Sequence, residues 1–208
     1  PLLEVPQVTI DDTTAYEAWK ASNVIAQKQA GYFAIGIKVL LGDFYTDKAR
    51  LLADLIKNYG ANELRFSLRQ NIVIRNIKEE NLPFFYQELA KLDMVALGYN
   101  TIGDITACPG TDTCNLGIAS STGIADELEK VIKAEYPKYS NNQEIEIKIS
   151  GCMNACGQHN MSAIGCQGMS INSGKLVAPA LQVLLGGGRL GNGEGRFADK
   201  VIKIPSRR

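Results

Sequence analysis

The sequence has no excess of charge of either sign: 22 Lys and Arg stand against 22 Asp and Glu, for a formal net charge of +0 at pH 7. A global field that would draw nucleic acid or an anionic membrane is therefore missing, and neither is expected as a partner. It also lacks an apolar run long enough to span a bilayer, and no charged-then-apolar leader opens it. A cytoplasmic setting is expected, or a plastid one after removal of a transit peptide. Histidine and tryptophan occur once each, as His159 and Trp19. A lone histidine in a loop is read as satisfied or solvated rather than as a ligand, and Trp19 as a packing anchor. The chain opens on Pro1 and closes on Ile204-Pro205-Ser206-Arg207-Arg208 after a strand-like VIKI. It reads as a processed protein or as a piece of a longer one.

What is present is a globular composition: 208 residues, 45% hydrophobic and 21% charged, enough for one large domain or two small ones. Thr14 to Gln29 is a loosely periodic helix candidate with Tyr16, Trp19, Val24 and Ile25. Tyr32 to Leu41 is apolar and β-branched, a buried strand ended by Gly42-Asp43. A helix follows, capped by Thr46 or Asp47, with Leu51, Leu52, Leu55, Ile56 and Tyr59 on one face and Gly60 at its end. Glu63 to Ile77 alternates as a strand bent or broken near Gln70-Asn71, with Arg65 and Arg69 sharing a face. Pro83 to Leu92 is a second helix, giving a βαβα unit with a boundary near Gly98 to Gly103. Beyond it come a helix from Ser121 to Tyr136 capped by Ser120 or Ser121, and the strand Glu144 to Ser150. Short strands are expected over 161–169 and 175–185, then a glycine-rich loop beginning Gly186-Gly187-Gly188-Arg189 that resembles an anion nest.

Five cysteines, mostly in short-range pairs, argue for metal chemistry over disulfides. Cys108 and Cys114 form C-x5-C in CPGTDTC, and Cys152 and Cys156 form C-x3-C in CMNAC. Four thiolates from two loops suffice for an iron–sulfur cluster or a structural zinc. Zinc is the weaker reading, because its sites more often use C-x2-C knuckles. Cys166, in AIGCQG, is read as a buried small hydrophobe.

Taken together, LRFSLRQNIVIRNI, CPGTDTC and ISGCMNACGQHNMSAIGCQG resemble the siroheme-containing nitrite and sulfite reductase family, with matches from about Trp19 to Val201. The resemblance implies an α+β chain: a connecting segment over 1–30, a ferredoxin-like half domain of βαβα type over 31–98, and a mixed α/β siroheme- and 4Fe-4S-binding domain over 99–208. The family is a tandem duplication, and the Gln70-Asn71 motif and the cysteine quartet are those of the second copy. The chain is thus similar to a C-terminal half, and its N-terminal half is an expected partner.

Carried over, Cys108, Cys114, Cys152 and Cys156 would bind a [4Fe-4S] cluster, with Cys156 also ligating the siroheme iron. Asn154 would contact a siroheme carboxylate, and Arg65, Arg69, Gln70 and Asn71 the tetrapyrrole or the other half. No catalytic acid or base is assigned, since the substrate-binding arginines and lysines of the family come mainly from the first copy. The implied activity is six-electron reduction of nitrite to ammonia, which Cys156-Gly157-Gln158 favours over reduction of sulfite to sulfide. The electron donor would be ferredoxin or a flavoprotein. A stand-alone iron–sulfur electron-transfer module and a structural zinc domain are the alternatives, and the isolated half is expected to be inactive.

Overall fold

The computed structural model describes residues 3–60 and 63–206 and divides the chain into two units, Pro1–Tyr99 and Asn100–Arg208. The terminal Arg207 and Arg208 lie outside the described residues.

The first unit is built on a four-stranded antiparallel sheet in the order β1-β2-β4-β3. Helix α1 (Thr13–Asn23) is opened by Asp12, whose carboxylate accepts the Ala15 N–H at 2.9 Å. The helix expected through Gln29 stops at Asn23. The Asn23 side chain, fully buried, donates to the carbonyls of Gly36 (3.0 Å) and Ala96 (2.9 Å). The β-branched Val24 and Ile25 then favour extended backbone and open β1 (Val24–Ala26), pairing Val24 with Ile35 of β2 (Tyr32–Ile37). Strand β2 is shorter than expected, because the chain turns through Leu40–Gly42 with Leu41 at φ 55°.

Helix α2 (Thr46–Tyr59) buries Leu52, Leu55 and Ile56 and ends at Gly60. Its cap is Tyr45, without a side-chain bond, rather than Thr46 or Asp47, and Leu51 is exposed. The next stretch is a hairpin: β3 (Leu64–Phe66) and β4 (Ile72–Lys78) are joined by a turn in which Ser67 N donates to Asn71 O (2.9 Å) and Gln70 N to Ser67 O (3.1 Å). Arg65 therefore sits on a strand and Arg69 in a turn, so the expected shared face does not exist. On β4, Ile72 and Ile74 point inward, and a bulge at Asn76 (φ 61°) restores Ile77 to the same side. Helix α3 (Leu82–Lys91) has Pro83 in its first turn and buries Leu82, Phe84, Phe85 and Leu89. These side chains close one core with Trp19 and Tyr16, and Val5, Val8 and Ile10 of the N-terminal stretch lie against it. The Trp19 ring stands 5.1 Å from Tyr86.

The second unit has a five-stranded mixed sheet ordered β11-β8-β7-β6-β5. Strands β5 (Thr106–Ala107) and β6 (Ile147–Ser150) are parallel and connected through α4 (Ser121–Glu135), whose cap Ser120 accepts the Gly123 N–H. Strand β6 lies between β5 and β7 (Ile164–Ser173), and all four of its residues are buried. Strand β7 turns back into β8 (Leu176–Leu185). The stretch expected as a plain loop contains a small ribbon, β9 (Gly188–Arg189) with β10 (Gly195–Arg196). Strand β11 (Asp199–Pro205) then forms an edge whose residues are all exposed. Among the described residues no helix is long and apolar enough to cross a membrane.

Candidate metal centre

The first cysteine loop leaves β5 and the second leaves β6, and because these strands are parallel neighbours both loops emerge at the same end of the sheet. Cys108 N still reaches the ladder, donating to Ile149 O at 3.1 Å. Its sulfur accepts the Gly151 N–H at 3.1 Å and lies 3.4 Å from Ser121 Oγ. The same Ser121 hydroxyl, at the start of α4 and fully buried, donates to Cys108 O at 2.5 Å. In return Gly151 O accepts both Ile118 N (2.8 Å) and Ala119 N (3.1 Å). Gly151, at the root of the second loop, is thus the clasp between the loops: its N–H holds the start of the first loop and its carbonyl holds the end of the same loop.

This contact needs bare backbone. A Cβ on Gly151 would come within 2.7 Å of Gly110 Cα and of Ala119 O, and one on Gly168 of β7 within 2.1 Å of Gly151 O. Within the first loop Cys114 N donates to Gly110 O (3.0 Å) and Gly117 N to Cys114 O (3.0 Å). In the second, Cys152 is buried whereas Asn154 and Cys156 are exposed, on a turn with two non-glycine residues in the left-handed region, Ala155 (φ 57°) and Gln158 (φ 61°). Gly157 N donates to Ser150 Oγ at 3.0 Å, tying this turn to β6.

The fold therefore brings both cysteine pairs into adjoining loops. It does not gather three or more His, Cys, Asp or Glu side chains into a metal-binding group among the described residues, and all five cysteines are free thiols. The donor chemistry nevertheless suits a cluster, because a sulfur-directed N–H is already in place on Cys108 and Cys114 and Cys156 are accessible. Cys166 is buried on β7, and burial pushes its thiol up to about 11. His159 is buried rather than solvated, and its Nδ1 makes no hydrogen bond among the described residues. Burial holds its pKa below the usual 6.5, opposed by a bond with Gln167.

The remaining sequence candidates lie in the first unit. Arg65 is exposed, with Nε 3.0 Å from Glu63 Oε1. Gln70 takes φ 65° in the hairpin turn and covers Gly42. Asn71 is fully buried, and its Oδ1 accepts the Val39 N–H at 2.8 Å. Arg69 is half-buried in the same turn. At the glycine-rich ribbon, Arg189 shares a surface hollow with Glu194, and Arg196 pairs with Asp199.

Sequence reasoning missed Lys148. It alternates with Ile147 and Ile149, a pattern usual for a solvated face, yet all four residues of β6 are buried and Lys148 lies with its Nζ 3.0 Å from Gln158 Oε1. The covering of that second face depends on chain segments distant in sequence, and no local signal reveals it.

The fold and its loops define an α+β protein with a ferredoxin-like half domain ahead of a cysteine-loop domain. Residues 25–92 match the family model described as "Nitrite/Sulfite reductase ferredoxin-like half domain", and residues 98–204 the one described as "Nitrite and sulphite reductase 4Fe-4S domain". The chain belongs to the nitrite and sulphite reductase family. It is 26% identical over 161 residues to a ferredoxin–nitrite reductase of Synechococcus elongatus, covering 77% of this chain and 31% of that protein. A chloroplastic ferredoxin–nitrite reductase of Zea mays is 30% identical over 184 residues, covering 85% and 31%. A ferredoxin sulfite reductase of Mycolicibacterium paratuberculosis is 26% identical over 162 residues, covering 76% and 29%. The chain thus spans about a third of the length of these relatives. In fold it is similar to the Mycobacterium tuberculosis NirA protein, with a TM-score of 0.69 at 24% identity over 89% of this chain and 34% of that one.

Proposed function

We propose that this chain is the C-terminal half of a siroheme and [4Fe-4S] reductase that takes nitrite to ammonia. The observation that carries this reading is the pair of cysteine loops clasped through Gly151, in a chain whose second unit matches the 4Fe-4S domain of the family. Cys108, Cys114, Cys152 and Cys156 would hold the cluster, and Cys156 would also serve as a ligand of the siroheme. Asn154, exposed on the same turn as Cys156, would contact a siroheme carboxylate. Arg65 and Arg69 present cationic groups to the tetrapyrrole or to the other half. Gln70 and Asn71 serve the same contact, Asn71 through the turn it fixes. The half domain runs over 31–98 and the cofactor domain over 99–208.

When bound, the cofactors would supply the six electrons, one at a time, to the substrate anion. The protein's part is orientation and electrostatics. Gly151 N–H bonds the Cys108 sulfur, which lowers the cost of added negative charge there. Ser121 fixes the backbone of the same cysteine. The cationic groups that bind the substrate come mainly from the N-terminal half, and ferredoxin, the donor in the relatives' names, is the proposed electron donor. Sulfite is the second substrate reading, supported by the mycolicibacterial relative.

The complete parent protein, made anaerobically with siroheme available, is expected to show tetrapyrrole and iron–sulfur absorption and a kcat/KM for nitrite above that for sulfite. The reverse preference would make it a sulfite reductase. A cluster without tetrapyrrole or turnover would make it an electron-transfer module.

A further inference from the structure

Beneath the second cysteine loop lies a polar contact that the cofactor reading leaves without a role. Strand β6 turns Lys148 and Ser150 to one face, two residues apart, and both side chains reach the loop that carries Cys156. Ser150 Oγ accepts the Gly157 N–H at 3.0 Å. Lys148 Nζ donates to Gln158 Oε1 at 3.0 Å, with the side chain of Lys148 only 9% exposed. The ammonium is also 3.5 Å from Glu146 Oε2, on a side chain that is 32% exposed. The charge is thus balanced toward solvent, while its hydrogen bond is directed at the loop.

The loop needs holding. Cys156 and Gly157 sit between Ala155 at φ 57° and Gln158 at φ 61°, closed by Gln158 N donating to Ala155 O at 2.8 Å. Left-handed backbone is costly for alanine and glutamine, and it persists only where surrounding contacts over-determine it. Gly157 cannot relax downward, since its Cα already faces the Ile149 carbonyl so closely that a Cβ would stand 2.1 Å from it. Gln158 closes the turn with its own backbone, its carbonyl also accepting the Met161 N–H at 3.0 Å, and Lys148 is the side chain bonded to its tip. A buried ammonium is costly, and an apolar residue of similar length would fill the same space without that cost. The bond to Gln158 is what a methionine there would not supply.

We propose that Lys148 is a positioning residue for Cys156: by gripping Gln158 it fixes the strained turn in which the Cys156 thiol is presented to a metal cofactor. The inference rests on the cluster reading above and deepens it. It is tested in the complete parent protein, with Lys148→Met, Lys148→Arg, Gln158→Ala and the double variant K148M/Q158A. The readouts are the rate of iron release to a chelator and the paramagnetic resonance spectrum of the reduced cluster.

Lys148→Met is expected to release iron about tenfold faster, in line with the loss of a group that orients a metal ligand, and to shift the spectrum. Gln158→Ala is expected to do the same, the double variant to add little, and Lys148→Arg to restore both readouts. Release and spectrum unchanged in Lys148→Met, or an arginine variant as impaired as the methionine one, would overturn the proposal. Should Lys148→Met fail to fold by circular dichroism, an unchanged Gln158→Ala would overturn it alone. An unaltered protein free of iron and sulfide would overturn the cluster reading together with it.

Discussion

The two units solve opposite problems. Of the largest fully buried side chains, Trp19, Phe85, Ile35, Leu52, Ile74 and Leu89 among them, all but Ile149 lie in the first unit. There the chain closes an apolar core under three helices and spends its few polar burials, Asn23 and Asn71, on fastening strand ends. The second unit has its closest packing where backbone meets backbone, at Gly165, Gly157, Gly168 and Gly151, and leaves β11 and the side chains of Leu176, Leu190 and Phe197 exposed. A unit of the first kind is stabilised by its own side chains. One of the second kind keeps loops in place for something else to complete, and metal binding then contributes directly to folding.

The sharpest way to break the contrast is to empty the first core. Phe85→Ala removes a fully buried ring and is expected to cost about 3–5 kcal/mol. Urea unfolding followed by Trp19 fluorescence checks this, and a loss under 1 kcal/mol would mean that the core repacks around the gap. The corresponding change in the second unit adds an atom rather than removing several. Gly168→Ala drives a Cβ onto Gly151 O and is expected to cost about 1–3 kcal/mol, as overpacking does. Hydrogen exchange should show it first at the Ile118 and Ala119 amides, which bond that carbonyl.

A smaller effect separates the units by pH. The Cys166 thiol ionises near 9.0 when unfolded and is pushed up to about 11 by burial, so the native state retains the proton that the unfolded state has released. Stability is unaffected well below pH 9 and falls as pH rises through this window, by roughly 1 kcal/mol at pH 10. Replacement by alanine should remove this contribution to the slope, as read from urea midpoints against pH.

Much of the first unit was legible because its signals are local. Periodic apolar residues marked α2 and α3, and Gly60 marked an end. The misreadings have one physical cause, which is partners far along the chain. Val24–Ala26 continues a helical pattern on paper but finds Ile35 across the sheet. Leu64 to Arg69 alternates like a strand, yet Asn71 bonds Val39 and Ser67 closes the turn, which leaves Phe66 and Leu68 exposed. In the second unit the cysteine spacing identified the loops. The clasp at Gly151 and the burial of Lys148 follow from β6 being an inner strand, a property of sheet order that spacing does not encode.

The most direct measurement of the central claim is iron and acid-labile sulfide per chain in the anaerobically purified parent protein. The account predicts about four of each, the content of one [4Fe-4S] cluster. Stoichiometric zinc with no sulfide would contradict it.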